Sequence, residues 1–191
     1  MSGLDPSSHY LDEVRRQFRG HKRLADGAMT QLKDDAFFIT LDPESNSIAI
    51  LVKHLAGNMR SRFTDFLTSD GEKPGRHRDQ EFEMQAIPTR AELMRWWEEG
   101  WAHVFSTIEG LTPEDLMRTV TIRGKPHTVL QALNRQLAHY AYHVGQIVFL
   151  TKHLRSNEWE SLSIPPGKSE EYNRKAAAER KPEPSGPRAG Q

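Results

Sequence analysis

Two histidines lie four residues apart in the segment HYAYHVGQI, which spans His139 to Ile147. Four residues is about one turn of an α-helix, so if the segment is helical both imidazoles leave the same face and can converge on one point. Imidazole is the commonest side-chain ligand of metal ions in proteins. The spacing of His139 and His143 is therefore typical of a pair of metal ligands.

A third candidate ligand comes from an earlier segment, in which polar residues share one face of a predicted helix: Ser47, His54, Asn58, Ser61 and Asp65. A polar stripe of this kind is usually the solvated face of a helix. However, His54 from this helix and the histidine pair from another would complete a site of three nitrogens inside a helical bundle. Three protein ligands leave coordination positions open, which is typical of catalytic rather than structural metal sites.

Polar neighbours of these histidines are candidates for a second layer around the ion. Gln136 and Gln146 share a face with the histidine pair, and Asn58 lies about one turn after His54. Side chains in such positions orient metal ligands or a bound water. We therefore expect Asn58, Gln136 and Gln146 to support the site, and the sequence assigns no catalytic residue.

The other histidines have simpler explanations. His21 and His103 lie on apolar faces of predicted helices, where a hydrogen-bonded core histidine is more common than a ligand, so they are kept as reserve ligands. The rest lie near a terminus, in loops or in the last turn of a helix: His9, His77, His127 and His153.

Four amphipathic segments must position these residues, because their apolar residues recur at spacings of three and four. The segments are YLDEVRRQFRGHKRLADGAMTQL, SIAILVKHLAGNMRSRFTDFL, IPTRAELMRWWEEGWAHVFSTIEGL and VLQALNRQLAHYAYHVGQIVFLTKHL. Thr89 and Glu92 form a capping-box pattern at the start of the third. Alternating residues around Val120 and Ile122, with Gly124 at the reversal, predict a small β-hairpin before the last helix. The pattern predicts an all-α fold, an antiparallel four-helix bundle with that hairpin.

The domain organisation follows from a change in composition near the C-terminus. We expect residues 1–172 to form the helical domain. Residues 173–191 are charged and carry proline and glycine but few apolar residues, so they cannot offset their ordering entropy by packing. This segment is predicted to be a flexible, disordered tail.

Charge and cysteine content exclude several function classes. The 191 residues include 26 Lys and Arg against 26 Asp and Glu, so the basic excess of a nucleic-acid-binding protein is missing. The chain has no cysteine, so any thiol chemistry requires a thiol cosubstrate. No signal peptide and no membrane-spanning apolar run are recognisable, which predicts a cytoplasmic protein.

A polar segment, TSDGEKPGRHRDQEF, follows the second predicted helix and is interpreted as a long surface loop. Arginines in and beside it are balanced by nearby carboxylates, so the default interpretation is a solvated surface of mixed charge. These residues are Arg60, Arg62, Arg76 and Arg78, with Asp65, Asp70, Glu72, Asp79 and Glu81.

Two motifs, AILVKHLAGNMRSRF and LNRQLAHYAYHVGQIVFL, resemble the DinB-like superfamily of metal-binding four-helix bundles. The segments RFTDFLTSDGEKPGRHRDQEFE and SIPPGKSEEYNRK are similar to a bacterial branch of that superfamily recorded only as uncharacterised. The resemblance extends from about Leu11 to about Tyr172. It implies that His54, His139 and His143 bind a divalent ion, Zn, Ni, Fe or Mn, and that the protein pairs as a homodimer.

The resemblance also implies a reaction, because some members of the superfamily are thiol transferases that use mycothiol, bacillithiol or glutathione. The first functional hypothesis is thus a metal-dependent S-transferase that joins a small thiol to an epoxide, a halide or an antibiotic. The second keeps the ion and makes water the nucleophile, as in a metal-dependent hydrolase. The third is a non-catalytic bundle, a stress- or metal-responsive binding protein in which the histidines are packed and hydrogen-bonded.

Overall fold

A computed structural model of the chain describes residues 5–84 and 87–179. Its five helices are α1 (Pro6–Met29), α2 (Ile48–Phe63), α3 (Arg90–Gly110), α4 (Val129–Arg155) and α5 (Ser169–Glu179). Two strands, β1 (Thr119–Ile122) and β2 (Lys125–Thr128), precede α4, and 3₁₀ turns cover Asp35–Phe38, Arg78–Phe82, Pro113–Met117 and Ser156–Glu158. The mostly helical fold and the hairpin before the last long helix confirm the coarse prediction.

Side-chain caps fix where the long helices begin. The predicted capping box is present, since Thr89 accepts a hydrogen bond from the Glu92 amide while the Glu92 carboxylate accepts one from the Thr89 amide. Thr128 and Gln131 form the same arrangement at the start of α4. Each box satisfies amide groups that the first helical turn leaves without a partner. The cap at Thr128 sets the register in which α4 presents its histidines.

The core is built on an aromatic cluster where the helices meet. α2 packs against α3 and α4, and α1 packs against α3 and α4. Phe18, Phe63, Trp101 and Tyr140 meet mostly edge to face with ring centroids 5.8–6.5 Å apart, a favoured geometry for aromatic pairs. Tyr140 lies on α4 between the two histidines, so this packing fixes the helix that carries them.

The hairpin holds the segment between α2 and α3 against the helices. Arg123 and Gly124 both have positive φ, as a two-residue hairpin turn of type I′ requires. Asp70 accepts hydrogen bonds from both of their amides at 2.8 Å, and the Gly71 amide donates to the Thr121 carbonyl oxygen at 2.8 Å. Arg62 donates to the Gly71 carbonyl oxygen from α2. The predicted surface loop is therefore tied to both the hairpin and α2.

The C-terminal part of the chain, from residue 160, forms a separate compact unit. Its helix α5 has no buried residue, and Lys175 pairs with Glu171 one turn earlier at 2.9 Å. The prediction of a disordered tail from residue 173 is wrong for 173–179, which are helical because alanines and an i,i+4 ion pair favour a helix without burial. Residues 180–191 of the predicted tail lie outside the described residues.

Within the described ranges, no helix combines the length and the apolar character needed to cross a lipid bilayer.

Candidate metal centre

Three histidines from two helices converge on one point. His54 projects from α2, and His139 and His143 project from α4. Nε2 of His139 lies 3.3 Å from Nε2 of His54 and 3.1 Å from Nε2 of His143. Nitrogens bound at about 2.0–2.1 Å to a tetrahedral ion are about 3.3 Å apart. The spacing of the three nitrogens therefore suits a shared metal ion.

The rings also present the correct atom to the centre. Nδ1 of His54 lies 2.8 Å from Oε2 of Glu81, and Nδ1 of His143 lies 2.8 Å from Oε1 of Gln146. Both partners are acceptors, so each Nδ1 carries the proton, and the neutral imidazole then has its lone pair on Nε2. His139 can donate only one Nε2 proton, to one of these two atoms. The Nε2 lone pair of either His54 or His143 therefore has no hydrogen-bond partner within the cluster. A cation would instead bind all three nitrogens.

The surroundings keep the imidazoles of His139 and His143 neutral, which is the form that binds metal. Burial, followed by repulsion from His143 and His54, lowers the pKa of His139 to about 3. Burial likewise lowers the pKa of His143 below its ordinary value. The Phe82 ring lies 4.7 Å from the His54 ring between centroids and helps to exclude water from this side. The ring nitrogens of His139 and His143 are thus unprotonated at neutral pH and available to a metal ion.

Glu81 contacts the candidate site, and the sequence analysis did not assign it there. Its side chain is buried, and Arg76 donates to it twice, from Nε to Oε1 at 2.8 Å and from Nη2 to Oε2 at 2.9 Å. Burial alone would raise the pKa of Glu81, but the hydrogen bonds from His54 and Arg76 outweigh burial and lower it. Glu81 is therefore an ionised carboxylate that orients His54, as carboxylates often do behind metal-ligating histidines.

A glycine on α2 makes room for this carboxylate. A Cβ placed on Gly57 would lie 2.9 Å from Cδ of Glu81, and closer still to its Oε1. Any side chain here would displace the carboxylate, since real Cβ contacts essentially never fall below about 3 Å. Gly57 lies one turn after His54, so the same stretch of helix supplies the ligand and the space for its hydrogen-bond acceptor.

The expectation of a solvated mixed-charge loop is wrong for three of its residues. Arg62, Arg76 and Glu81 lie inside the protein and form ion pairs, with Arg62 donating to Glu72 at 2.8 Å. The near balance of acidic and basic residues in this part of the sequence does not indicate which pairs are buried. The sequence around Glu81 is as polar as that of an exposed loop. Only the contact of Glu81 with His54, 27 positions earlier, shows that Glu81 belongs to the candidate site.

The three predicted supporting residues differ in whether they contact a candidate ligand. Gln146 contacts His143, as expected for a residue that orients a ligand. Asn58 and Gln136 are buried, but the structure gives neither a hydrogen bond to a candidate ligand: Asn58 accepts from the Tyr140 hydroxyl at 3.1 Å, and Oε1 of Gln136 has no partner among the described residues. Their proposed support of an ion stays a prediction.

The reserve histidines do not join the cluster. His21 is partly buried on α1, and its Nδ1 has no hydrogen-bond partner in the described part of the chain. His103 lines a separate cleft between α2 and α3. Among the described residues, the cluster of potential ligands contains only His54, His139 and His143.

Comparison with known proteins gives a family but no activity. No curated protein matches the chain. A family model with the description "Protein of unknown function (DUF1572)" matches residues 5–168, which include all three histidines, Glu81 and the hairpin. Since the match covers most of the sequence, the chain belongs to the DUF1572 family of proteins.

Proposed function

We propose that the protein is a divalent-metal-dependent enzyme whose ion is held by His54, His139 and His143. The observation that carries this proposal is the convergence of the three Nε2 atoms on one point. Zn, Ni, Fe and Mn are the candidate ions, because they are the ones that the resemblance to DinB-like proteins implies. Imidazole ligands suit several of these ions, so the metal must be identified by analysis.

The number of ligands favours a catalytic centre over a structural one. Structural zinc sites are almost always closed by four protein ligands, whereas catalytic sites have three and keep a position for water or substrate. In the described residues, no fourth histidine or carboxylate belongs to the cluster. His139 is only partly buried, so the cluster is not fully closed to solvent.

For the reaction we propose transfer of a small thiol to an electrophile. When bound, the ion would lower the pKa of the incoming thiol and hold it as a nucleophilic thiolate. In the transfer, the thiol loses its proton to solvent and a sulfur–carbon bond forms. The carbon–halogen bond breaks to release a halide ion, or the epoxide carbon–oxygen bond breaks to an alkoxide that takes a proton from solvent. The chain itself has no cysteine, so the sulfur comes from a cosubstrate such as mycothiol, bacillithiol or glutathione.

The residues of the chain would hold this geometry. Glu81 fixes the tautomer and direction of His54, and Arg76 holds Glu81 in place from its other side. Gln146 fixes the tautomer of His143. With both rings oriented before the ion arrives, little reorganisation is needed for binding.

The fold that accompanies this proposal is a DinB-like antiparallel four-helix bundle made of α1 to α4. Two observations support it: each of α1 and α2 packs against both α3 and α4, and the three histidines of the superfamily site fall on α2 and α4. Sites of this kind are built from side chains that project inward from facing helices of a bundle.

Metal content tests the ion site directly. Protein purified without a His tag is analysed by inductively coupled plasma mass spectrometry, as the unaltered chain and as His139→Ala. We expect near-stoichiometric metal in the unaltered protein and a clear loss in the variant. The matched control is His153→Ala, which removes an exposed histidine from the same helix and should leave the metal content unchanged. An unaltered protein that stays empty after reconstitution contradicts the proposal.

A second assay separates the possible reactions. The metal-loaded protein is incubated with an epoxide or alkyl halide, with and without each of the three thiols, and the products are analysed by mass spectrometry. Thioether formation that requires the metal supports the S-transferase. Hydrolysis without added thiol would instead favour the hydrolase, and a loaded protein that turns over neither substrate would favour a binding protein.

A further inference from the structure

A second feature with the size of a ligand site lies beside the metal centre. It is a cleft of about 880 Å³ between α2, α3 and the segment that joins them. This volume is within the range of about 300–1,000 Å³ that is typical of small-molecule sites. Glu81 and Arg76 line the cleft, whereas none of the three clustered histidines does. The cleft and the candidate metal centre are therefore different sites that share the Arg76–Glu81 pair.

The cleft has a mixed wall of charged and aromatic side chains. α2 contributes Lys53 and Arg60, and α3 contributes Trp96 and His103. The joining segment contributes Lys73. Trp96 is only partly buried, so part of its indole surface is open to a ligand. Small-molecule sites commonly combine an apolar surface of this kind with a few polar groups that fix orientation.

Most charges that line the cleft already have an opposite charge beside them. Arg76 is paired with Glu81 through two hydrogen bonds. Lys73 lies in the field of two carboxylates, Asp65 and Asp70, which oppose the lowering of its pKa by burial. These groups therefore contribute little net charge to a ligand in the cleft.

Two other cations of the lining, Lys53 and Arg60, form no ion pair with a carboxylate of the residues that the structure describes. Lys53 donates from Nζ to the carbonyl oxygens of Gln80 and Glu83 at 2.6 Å, which leaves its positive charge uncompensated by these contacts. The Arg60 guanidinium is exposed at the cleft and forms no ion pair or hydrogen bond with the described residues. Glu99 is the one further carboxylate in the lining. The electrostatic balance of the cleft thus favours a ligand with a negative charge.

We propose that this cleft binds a small organic anion, a carboxylate or sulfonate on an apolar body, with Arg60 as its charge partner and Trp96 against its body. Guanidinium groups bind the oxygen atoms of carboxylates and tetrahedral oxyanions through paired N–H donors, and an indole offers an apolar face for the rest of the molecule. This site goes beyond the proposed metal chemistry, because its binding needs neither the ion nor the three histidines.

The test uses two fluorescent probes that differ in charge. The anion is 8-anilinonaphthalene-1-sulfonate, and the uncharged counterpart is N-phenyl-1-naphthylamine. Each is titrated into the full chain, metal-loaded and metal-free. The variants are Arg60→Gln and, as matched control, Arg95→Gln, which removes an exposed arginine of α3 that does not line the cleft. We expect saturable binding of the anion, weakened about fivefold by Arg60→Gln and unchanged by Arg95→Gln.

A third variant tests the apolar wall. Trp96→Leu should weaken the binding of both probes, whereas Arg60→Gln should weaken only that of the anion. The proposal is overturned if the unaltered protein shows no saturable binding of the anion, if Arg60→Gln and Arg95→Gln have equal effects, or if Trp96→Leu leaves both affinities unchanged. Each of these results would mean that the probe binds to another surface or does not bind.

Metal analysis of the same samples keeps the two proposals apart. Arg60→Gln should retain the metal content of the unaltered protein, and His139→Ala should retain the affinity for the anionic probe. A failure of the metal site therefore shows in the mass spectrometry, and a failure of the cleft shows in the fluorescence.

Discussion

Nδ1 of His54 donates a hydrogen bond to Oε2 of Glu81 across 2.8 Å, between two residues that are 27 positions apart and both buried. This bond connects the segment that follows α2 to His54, the first of the three candidate ligands in the sequence. Arg76 holds the other edge of the same carboxylate. The direction of the His54 lone pair thus depends on a carboxylate that is itself fixed by an ion pair.

Replacing Glu81 by Gln should weaken metal binding while all three ligands remain. The neutral amide accepts a weaker hydrogen bond from His54, and it leaves the buried Arg76 charge with only Glu72, 3.5 Å away, as a counter-ion. We expect about a 10- to 100-fold loss of metal affinity, the usual cost of losing such a partner. Competition with a chelator of known affinity measures it. Asp79→Asn, at an exposed position of the same 3₁₀ turn, serves as the control and should bind as tightly as the unaltered protein.

Gly57→Ala should weaken metal binding although it removes no polar group. The added methyl would occupy the space of the Glu81 carboxylate, so Glu81 must move away from His54. Gly145→Ala is the matched control, because a Cβ at this exposed position of α4 meets nothing within 4 Å. That control should keep its metal affinity and gain about 0.5–1 kcal/mol in unfolding free energy, as Gly→Ala does in an unstrained helix. Equal metal affinity in the two variants would show that the position of Glu81 does not matter.

Removal of the metal should lower the thermal stability of the protein. An ion that binds only the folded state adds about 2.7 kcal/mol to the free energy of unfolding at a free concentration of 100 times its dissociation constant. We therefore expect the melting temperature to fall on chelation and to recover on addition of Zn²⁺. His143→Ala should show neither change. A melting temperature that is independent of metal in the unaltered protein would argue against a site in the folded state.

The metal-free protein should lose stability as the pH falls below about 6.5. In the unfolded chain His139 takes up a proton near its ordinary pKa of 6.5, whereas in the folded state burial lowers that pKa to about 3. The unfolded state therefore binds more protons between these values, and stability falls with pH across that window. His139→Gln removes this contribution. Denaturant unfolding at pH 7 and pH 5 should show a smaller loss for the variant than for the unaltered protein, and parallel losses would refute the prediction.

Local patterns in the sequence determined the elements that carry the site. The helical period around His139 and His143 places both imidazoles on one face of α4, and the Thr89 and Glu92 pair marks the start of α3. Gly124 marks the turn of the hairpin. Each of these features depends on residues within about one turn or one strand pair of each other, so spacing along the chain is sufficient to predict them.

The tertiary structure alone decided which loop residues complete the site. The sequence places Glu81 and Arg76 in a balanced charged surface. Glu81 becomes a buried partner of His54, and Arg76 a partner of Glu81, only because the hairpin and α2 hold their segment against the helices. The cleft beside Arg60 and Trp96 depends in the same way on how α2 meets α3. Burial of a charged side chain is set by neighbours distant in sequence, and no local period records them.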